Sequence, residues 1–308
     1  MRIVFMGTPD FAVPCLQALL DEGHEVCAVF TQPDKPRGRG YTLAPPPVKE
    51  LALKYDIPVY QPTTLRTPEA AELVASLQPE VIIVVAYGKL LPKEILQIAP
   101  HGCINVHASL LPKYRGAAPI QWAVINGDEK TGVATMQMDV GLDTGDILLM
   151  EETKILENET SGELFDRLQV LGSKVLIQTL RELQAGTLKC RPQGEEGTCY
   201  ASMLSRDISD IDWNRPAREI HNLVRGLSPW PVASSVYQGK RIKIYETQVC
   251  ENEAGEPGQV LPGKDFHVCC GQNTVLKLVT VQYEGGKRMG GTDFLRGHPA
   301  QPEAKMGC

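Results

Sequence analysis

The sequence predicts an α/β protein with a doubly wound, mainly parallel sheet, followed by a smaller all-β domain. Strand-like and helix-like segments alternate through the first half of the chain. Residues 81–86 form a nearly continuous β-branched run, and short strand-like segments with glycine-rich turns fill the C-terminal part. Alternation is typical of βαβ units, a β-branched run is typical of a strand buried on both faces, and short strands indicate a small barrel or sandwich.

The elements of the first half follow from the spacing of apolar residues. We expect strands at 2–6, 26–31, 58–60, 81–86 and 102–107. The strands expected at 132–138 and 146–154 are candidates for antiparallel additions to the sheet. We expect helices at 10–22, 48–55, 68–77, 92–97 and 161–183. The last helix begins beside Thr160 and Ser161, either of which can serve as its N-cap.

The polar segment 186–206 lacks periodicity and predicts a linker. The expected division is a first domain at 1–189, a linker at 190–206 and a second domain at 207–308. The second domain is expected to hold a helix at 215–224. Its expected strands are 234–237, 240–246, 258–261, 267–270 and 274–282.

The composition indicates a globular protein. A chain of 308 residues accommodates two domains, and no apolar run reaches the about 18 residues of a membrane helix. Nine cysteines without Cys-x-x-Cys spacing predict reduced thiols, no zinc ribbon and a cytoplasmic location. The net charge of −6 argues against general nucleic-acid binding. Residues 204–308 nevertheless carry 13 basic and 12 acidic residues, a balance that either favours a polyanion at that end or has no function.

The segment 105–116 carries the chemical prediction. Asn105 and His107 lie two positions apart at the end of a predicted strand, so their side chains point to the same side. Ligands of open parallel sheets bind beyond the carboxyl ends of the strands, where this pair lies. An amide that donates to a carbonyl oxygen, beside an imidazole that moves a proton, suits transfer of an acyl group. The alternative is that His107 is a structural histidine.

An acidic loop lies at 139–146, with two glycines and three aspartates in eight residues. Three carboxylates are compatible with calcium or magnesium, but the spacing does not match an EF-hand, so we expect no metal. We expect instead that one aspartate, Asp143, orients His107 and favours a proton on its ring.

Two further loops follow predicted strands. The segment 86–92 is either a plain strand-to-helix turn or one wall of an apolar pocket at the same sheet edge. The segment 7–9 follows the first strand but does not match Gly-x-Gly-x-x-Gly, so a dinucleotide site is not expected.

A basic segment at 34–41 contains Lys35, Arg37 and Arg39, with Tyr41 beside them. It is either a solvated loop or a flexible arm for a phosphate backbone, in which the aromatic side chain stacks on a base.

These segments resemble those of the methionyl-tRNA formyltransferases, a branch of the formyltransferases of the glycinamide-ribonucleotide transformylase type. The resemblance extends from Phe5 to Gly297 and is strongest at 105–120 and 138–146. The segments that indicate the tRNA-specific branch are 34–41, 222–231 and 285–289. Two departures are Val232, where the family often has glycine, and the variable-looking segment 251–257.

The resemblance implies a formyltransferase-like Rossmann variant with a C-terminal OB-like barrel. It implies transfer of the formyl group of 10-formyltetrahydrofolate to the α-amine of methionyl initiator tRNA, with catalysis by Asn105, His107 and Asp143. The implied folate pocket comprises Tyr87, Gly88, Leu91, Pro92, Ser109, Leu110, Leu111, Pro112, Asp139, Val140 and Gly141. The expected tRNA contacts are Lys35, Arg37, Arg39, Lys240, Arg241, Lys287 and Arg288. We expect a monomer that does not bind membranes.

Two rival interpretations remain at this stage. The first is a related enzyme that formylates a small amine, such as a nucleotide sugar, or that hydrolyses formyl-folate; neither needs the basic segment or this C-terminal part. The second is a non-enzymatic RNA-binding protein with a vestigial first domain, against which the intact Asn105, His107 and Asp143 set argues.

Overall fold

The computed structural model describes residues 1–37, 42–251, 255–300 and 304–307. The chain forms two compact units. Unit 1 comprises Met1–Pro119, Thr131–Lys154 and Phe165–Ala201, and unit 2 comprises Ile120–Lys130, Ile155–Leu164 and Ser202–Cys308. The expected linear division into two domains differs from this arrangement, because two interior segments group with the C-terminal part of the chain and residues 190–201 group with unit 1.

The described strands are numbered in chain order. They are β1 Arg2–Gly7, β2 Glu25–Phe30, β3 Lys35–Arg37, β4 Thr42–Ala44, β5 Val59–Tyr60, β6 Val81–Val85, β7 Cys103–His107, β8 Arg115–Gly116, β9 Lys130–Gln137, β10 Ile147–Lys154, β11 Tyr200–Ala201, β12 Ala233–Tyr237, β13 Lys240–Cys250, β14 His267–Cys270, β15 Thr274–Tyr283 and β16 Arg288–Gly290.

The α-helices are α1 Val13–Asp21, α2 Pro47–Lys54, α3 Pro68–Ser76, α4 Lys93–Leu96, α5 Pro119–Ile125, α6 Ser161–Ala185, α7 Ala217–Gly226 and α8 Gly291–Gly297. None of the helices in the described ranges is both long enough and apolar enough to cross a membrane.

Unit 1 is built on a seven-stranded sheet in the order β10-β9-β7-β6-β1-β2-β5. The pairs β1–β2, β1–β6, β6–β7 and β2–β5 are parallel, and β7–β9 is antiparallel. Because successive strands extend to opposite sides of β1, the sheet is doubly wound, as expected. The carboxyl ends of β1, β6 and β7 therefore meet at one edge, where such folds bind ligands.

Helix α6 packs closely on this sheet. A Cβ atom at Gly172 would lie 3.2 Å from Val106 Cγ1 and 3.7 Å from Val133 Cγ1, so the absent side chain lets the helix approach β7 and β9. Within the same interface the hydroxyls of Thr135 and Thr179 lie 2.7 Å apart and satisfy each other. Strand β7 is thus held from one face by a helix and from both edges by strands.

The described residues in and next to the basic segment include two short strands. Strands β3 and β4 form an antiparallel hairpin. Asp34 precedes it and accepts hydrogen bonds from Lys49 Nζ at 2.9 Å and Gln61 Nε2 at 2.8 Å, which hold the pKa of its carboxyl below the ordinary value. Arg39 and Tyr41 lie outside the described residues.

Unit 2 contains an antiparallel sheet in the order β12-β13-β15-β14, and β16 pairs with β15. Three isolated bridges close this sheet into a barrel. Tyr237 of β12 pairs with Met306, Lys305 pairs with Gln259, and Val260 pairs with Val268 of β14. Its interior is aromatic, with the ring of Tyr237 centred 5.6 Å from that of Phe266 and 5.8 Å from that of Phe294. The small barrel expected from the short strands is confirmed.

Several elements differ from the sequence-based expectations. The strand expected at 258–261 is wrong, because Gln259 and Val260 form only isolated bridges. Helices α5 and α8 and the two-residue strands β8 and β11 were not expected. Strands β8 and β11 are too short for a periodic pattern, and each exists through its pairing with the other.

Val232, the departure from the family pattern, has φ +74°, a left-handed conformation that is unfavourable for a β-branched residue. Its N–H donates to the Leu227 carbonyl at 2.9 Å and its side chain is buried, so the surroundings hold this backbone in place. Glycine adopts this conformation freely, so the glycine that the resemblance implies at this position would avoid the strain.

His221 is buried in unit 2, where its Nδ1 lies 2.9 Å from Thr247 Oγ1. Burial lowers the pKa of the ring below the ordinary 6.5, and the charge of Arg225 lowers it further, although Glu157 opposes this shift. The neutral ring therefore stabilises the fold above the unfolded-state pKa, and this contribution decreases as the pH falls.

We predict that the free energy of unfolding decreases between about pH 7 and about pH 5, and that His221→Gln makes this decrease smaller. The reason is that the unfolded chain takes up a proton that the folded ring does not accept. Urea titrations at several pH values measure the slope. His101→Gln, at an exposed position, is the matched control and should keep the wild-type slope, and an identical slope in both variants contradicts the prediction.

Candidate active site

Asn105 and His107 lie at the carboxyl end of β7, and both side chains are largely buried. They pair with Met136 and Ala134 of the antiparallel neighbour, and Asn105 pairs with Val84 of the parallel one. Paired on both sides, the strand fixes the two side chains on one face of the sheet. Among the described residues, no protein group hydrogen-bonds the Asn105 side-chain amide, which leaves it available to a ligand.

The ring of His107 is held by the turn that follows its strand. Its Nε2 lies 2.9 Å from the Tyr114 carbonyl oxygen, and because a carbonyl only accepts, Nε2 carries a proton and donates it. Tyr114 has φ +59°, and Ser109 Oγ closes the turn by donating to the Lys113 carbonyl at 2.6 Å. Nδ1 is therefore the ring nitrogen that remains for proton transfer.

Asp143 is the aspartate of the acidic loop that faces His107. Its Oδ2 lies 3.8 Å from His107 Nδ1 and accepts a hydrogen bond from the Gly116 N–H at 2.8 Å. Asp139 has a different position in the loop, since its Oδ1 accepts from Gly141 N at 3.0 Å and Thr144 Oγ1 at 2.7 Å.

The separation of 3.8 Å exceeds a direct hydrogen bond, so the bond that orients the His107 ring comes from Tyr114 and not from Asp143. With a neutral ring, Nδ1 and the Asp143 carboxylate are two acceptors that face one space. A group with N–H or O–H protons can donate to both. A proton taken by Nδ1 then lies beside a carboxylate, which stabilises the imidazolium.

The residues of the expected folate pocket differ in burial. Those buried in the protein are Tyr87, Leu91, Ser109 and Leu111. Those half-buried are Pro92, Leu110 and Pro112. Those exposed are Gly88, Asp139, Val140 and Gly141. The buried members support the loops from beneath, and only the half-buried and exposed members are accessible to a ligand.

Apolar side chains project from the two loops beside β7. Val140 and Leu90 are 75% and 60% exposed, and Leu142 is also exposed. Met138, at the start of the acidic loop, packs against the cluster that contains Tyr87 and against a second cluster around Leu111. The two loops thus share a packed base and present apolar surface to solvent, as an aromatic ligand requires. Leu90 and Leu142 were not among the expected pocket residues.

Two models of known families match the chain: a formyl transferase model over residues 1–180 and a formyl transferase C-terminal domain model over residues 203–299. The chain is 51% identical over 301 residues to the methionyl-tRNA formyltransferase of Alkaliphilus oremlandii, and the match covers 97% of both chains. It is also 51% identical over 312 residues to the methionyl-tRNA formyltransferase of Clostridium botulinum, and this match covers 100% of both.

The chain belongs to the formyl transferase family. The family expected from the sequence is confirmed by these matches. Among solved structures, the N-formyltransferase from Helicobacter canadensis, in complex with folinic acid and dTDP-3-aminofucose, has a TM-score of 0.70 at 19% identity, with 90% of this chain and 98% of that chain covered. At this identity the likeness concerns the fold.

The segment expected to be a linker contributes to the site of this formyl transferase. Cys199 Sγ accepts a hydrogen bond from Tyr114 N at 3.2 Å, and Gln193 bonds to both Arg115 and the acidic loop. No local pattern in the sequence marks these residues, because their partners lie far away in the chain. Sequence reasoning therefore missed them.

The basic residues expected to contact tRNA occur in both units. In unit 1, Lys35 is exposed and donates to Gln32 Oε1 at 3.1 Å. In unit 2, the exposed Lys240 and Arg241 begin β13, and the exposed Lys287 and Arg288 lie at the β15–β16 turn.

Aromatic rings accompany the basic residues of unit 2. The Arg288 guanidinium lies 3.5 Å from the centre of the Tyr245 ring, and Lys240 Nζ lies 5.9 Å from that of Tyr283. Arg241 and Tyr283 also line an open pocket of about 410 Å³. This set of cations and rings, here called the barrel patch, suits an RNA backbone with stacked bases.

In the described part of the chain, no group of three or more His, Cys, Asp and Glu side chains is arranged to hold a metal ion. The hydrogen bonds of Asp139 and Asp143 described above instead use these carboxylates to brace the acidic loop.

We predict that Gly145→Ala disturbs the acidic loop, because a Cβ atom there would lie 1.7 Å from the Gln137 carbonyl oxygen. The hydrogen bond from Gly116 to Asp143 should open more often, and the Gly116 amide proton should exchange about tenfold faster or more. Hydrogen-exchange NMR measures this rate. In the control Gly194→Ala, the nearest atom beyond the adjoining residues is Glu196 N, 4.0 Å from the new Cβ, so the Gly116 rate should not change. Equal rates in both variants would mean that the loop accommodates the methyl group.

Proposed function

We propose that the chain transfers the formyl group of 10-formyltetrahydrofolate to the α-amine of methionyl initiator tRNA, for the initiation of translation. The observation that carries this proposal is the free Asn105 amide beside the two facing acceptors, His107 Nδ1 and Asp143 Oδ2, at the edge of the sheet. The full-length relatives at 51% identity named methionyl-tRNA formyltransferase support the choice of substrates.

The acceptor amine determines the first step. An aminoacyl ester lowers the pKa of its α-amine relative to ordinary amines, so the nucleophile is available in its neutral form. An amine N–H placed between His107 Nδ1 and Asp143 Oδ2 can donate to both. Its lone pair then points away from them, toward a formyl carbon held beside Asn105.

The proton released by the attacking amine goes to His107. As the new C–N bond forms, Nδ1 accepts the proton directly or through one water, and the Asp143 carboxylate stabilises the imidazolium. Throughout the reaction Nε2–H donates its hydrogen bond to the Tyr114 carbonyl, so the ring keeps its orientation. The imidazolium returns the proton to N10 as the bond from the formyl carbon to N10 breaks, which balances the reaction.

Asn105 stabilises the charge on oxygen. Attack on the formyl carbon converts its carbonyl oxygen into an oxyanion, and the Asn105 Nδ2–H₂ group donates to it. Because β7 holds Asn105 in place before the reaction, the donor requires no reorganisation. The apolar side chains Leu90, Val140 and Leu142 supply the surface on which the folate ring system packs.

The acceptor tRNA is bound by cations outside the reaction site. Lys35, Arg37 and Arg39 of the basic segment contact the phosphate backbone, and the barrel patch does so from unit 2. Electrostatic contacts of this kind position the acceptor and depend strongly on salt. We also propose that the enzyme works as a monomer in the cytoplasm, where its tRNA substrate is found, and does not bind membranes.

The first test is formyl transfer from 10-formyltetrahydrofolate to methionyl-tRNA, with initiator and elongator tRNA compared. We expect formylated product on the initiator alone. Consumption of the folate without formylated tRNA would instead favour a small-amine formyltransferase or a formyl-folate hydrolase. Lack of any affinity for the folate would favour the non-enzymatic RNA-binding alternative.

We predict that Asn105→Ala lowers kcat about 10²–10³-fold and His107→Ala about 10²–10⁴-fold. Asp143→Asn should fold normally and change the kcat–pH profile, because a carboxylate that faces the reacting groups becomes neutral. Steady-state kinetics over a pH series measure both effects. Near-full turnover of folded Asn105→Ala or His107→Ala would overturn the assignment, and an unchanged profile would remove the role of Asp143.

We predict that replacing Lys35, Arg37 and Arg39 with alanine weakens tRNA binding and reduces its salt dependence. The log–log slope should fall by about 0.7–0.9 for each phosphate that these side chains no longer neutralise. Folate binding should not change. The control replaces three exposed lysines elsewhere in unit 1, Lys54, Lys93 and Lys174, so that the net charge changes equally. If both triple variants have the wild-type slope, the basic segment is a solvated loop.

A further inference from the structure

Gln193 connects the two segments that form the bond between Asp143 and Gly116. Its Oε1 accepts from Arg115 Nε at 3.1 Å and Nη2 at 2.8 Å. Its Nε2 donates to the Asp143 carbonyl at 2.9 Å and the Gly145 carbonyl at 2.6 Å. Both donor hydrogens and both acceptor positions of the amide are thus occupied.

The partners of Gln193 lie at or next to the two ends of the hydrogen bond between Gly116 and Asp143. Arg115 directly precedes Gly116, whose N–H binds the Asp143 carboxylate, and Arg115 is 4% exposed. Asp143 itself has φ +53°, a left-handed conformation that is uncommon for residues other than glycine. A donor on its carbonyl fixes the orientation of that peptide and, with it, the direction of the side chain.

We propose that Gln193 is a positioning residue, which sets the separation between the Asp143 carboxylate and His107 Nδ1 without touching a substrate. This inference rests on the proposed function. It predicts that removal of the Gln193 donor affects turnover through Asp143, and leaves substrate affinity unchanged.

Only a primary amide has the required pair of donors and pair of acceptors. Gln193→Glu keeps an acceptor for Arg115 but removes both donors and places carboxylate oxygens against the carbonyls of Asp143 and Gly145. Gln193→Met keeps the approximate length and removes both functions. The two variants therefore separate the effect of the missing donor from the effect of altered packing.

The decisive experiment is a double-mutant cycle with Asp143→Asn. In the wild-type background, we expect Gln193→Glu to lower kcat about tenfold or more, whereas KM for both substrates should change by less than about twofold. In the Asp143→Asn background, the same substitution should lower kcat by less than about twofold. Gln193→Met should give the same pattern. The control Glu196→Ala, at an exposed position of the same segment, should keep wild-type kcat.

Equal reductions of kcat in the wild-type and Asp143→Asn backgrounds would overturn the proposal, as would wild-type turnover in Gln193→Glu. A readout that does not use activity separates this outcome from failure of the proposed function. The Gly116 amide proton should exchange faster in Gln193→Glu and Gln193→Met than in Glu196→Ala, whichever substrates the enzyme uses. Wild-type exchange in both Gln193 variants would also overturn the proposal.

Discussion

The hydrogen bond from the Gly116 N–H to the Asp143 carboxylate determines the geometry of the site. It joins the loop after β9 to the segment after β7, which are separated by 27 positions in the chain. Gly116 has φ +114°, and a Cβ atom there would lie 2.8 Å from the Ala201 carbonyl oxygen, so glycine is required where β8 pairs with β11. The distance between His107 and Asp143 therefore depends on three segments that meet at one backbone N–H.

The sequence predicts those parts of the structure whose cause is local. The β-branched run of β6 and the two-residue spacing of Asn105 and His107 indicate strands because the pleat itself has period two. The glycines and aspartates of the acidic loop indicate a turn, because glycine permits the backbone conformations of turns and aspartate hydrogen-bonds the nearby backbone. Gln193 could not be found in this way, because its role depends on Arg115, which lies 78 positions away. A two-residue strand such as β8 likewise has no pattern of its own.

The choice among the aspartates shows what the structure adds to reasoning from the sequence. Composition does not distinguish Asp139 from Asp143, since both lie in the same glycine-rich loop. The structure separates them, because Asp139 accepts bonds within the loop whereas Asp143 faces His107. From the sequence we expect Asp143 to be the partner of His107, and the resemblance to a family implies the same residue.

Unit 2 is discontinuous, and this has a consequence for synthesis of the chain. All residues of unit 1 have been synthesised by Ala201, so it can fold while the rest is still being made. Residues 120–130 and 155–164 are translated within that period, but the rest of their unit, residues 202–308, is made later. The buried Arg225 guanidinium, for example, donates to the Glu159 carbonyl at 3.1 Å. These two segments therefore leave the ribosome before the remainder of unit 2 and can complete their packing only after the last third of the chain is synthesised.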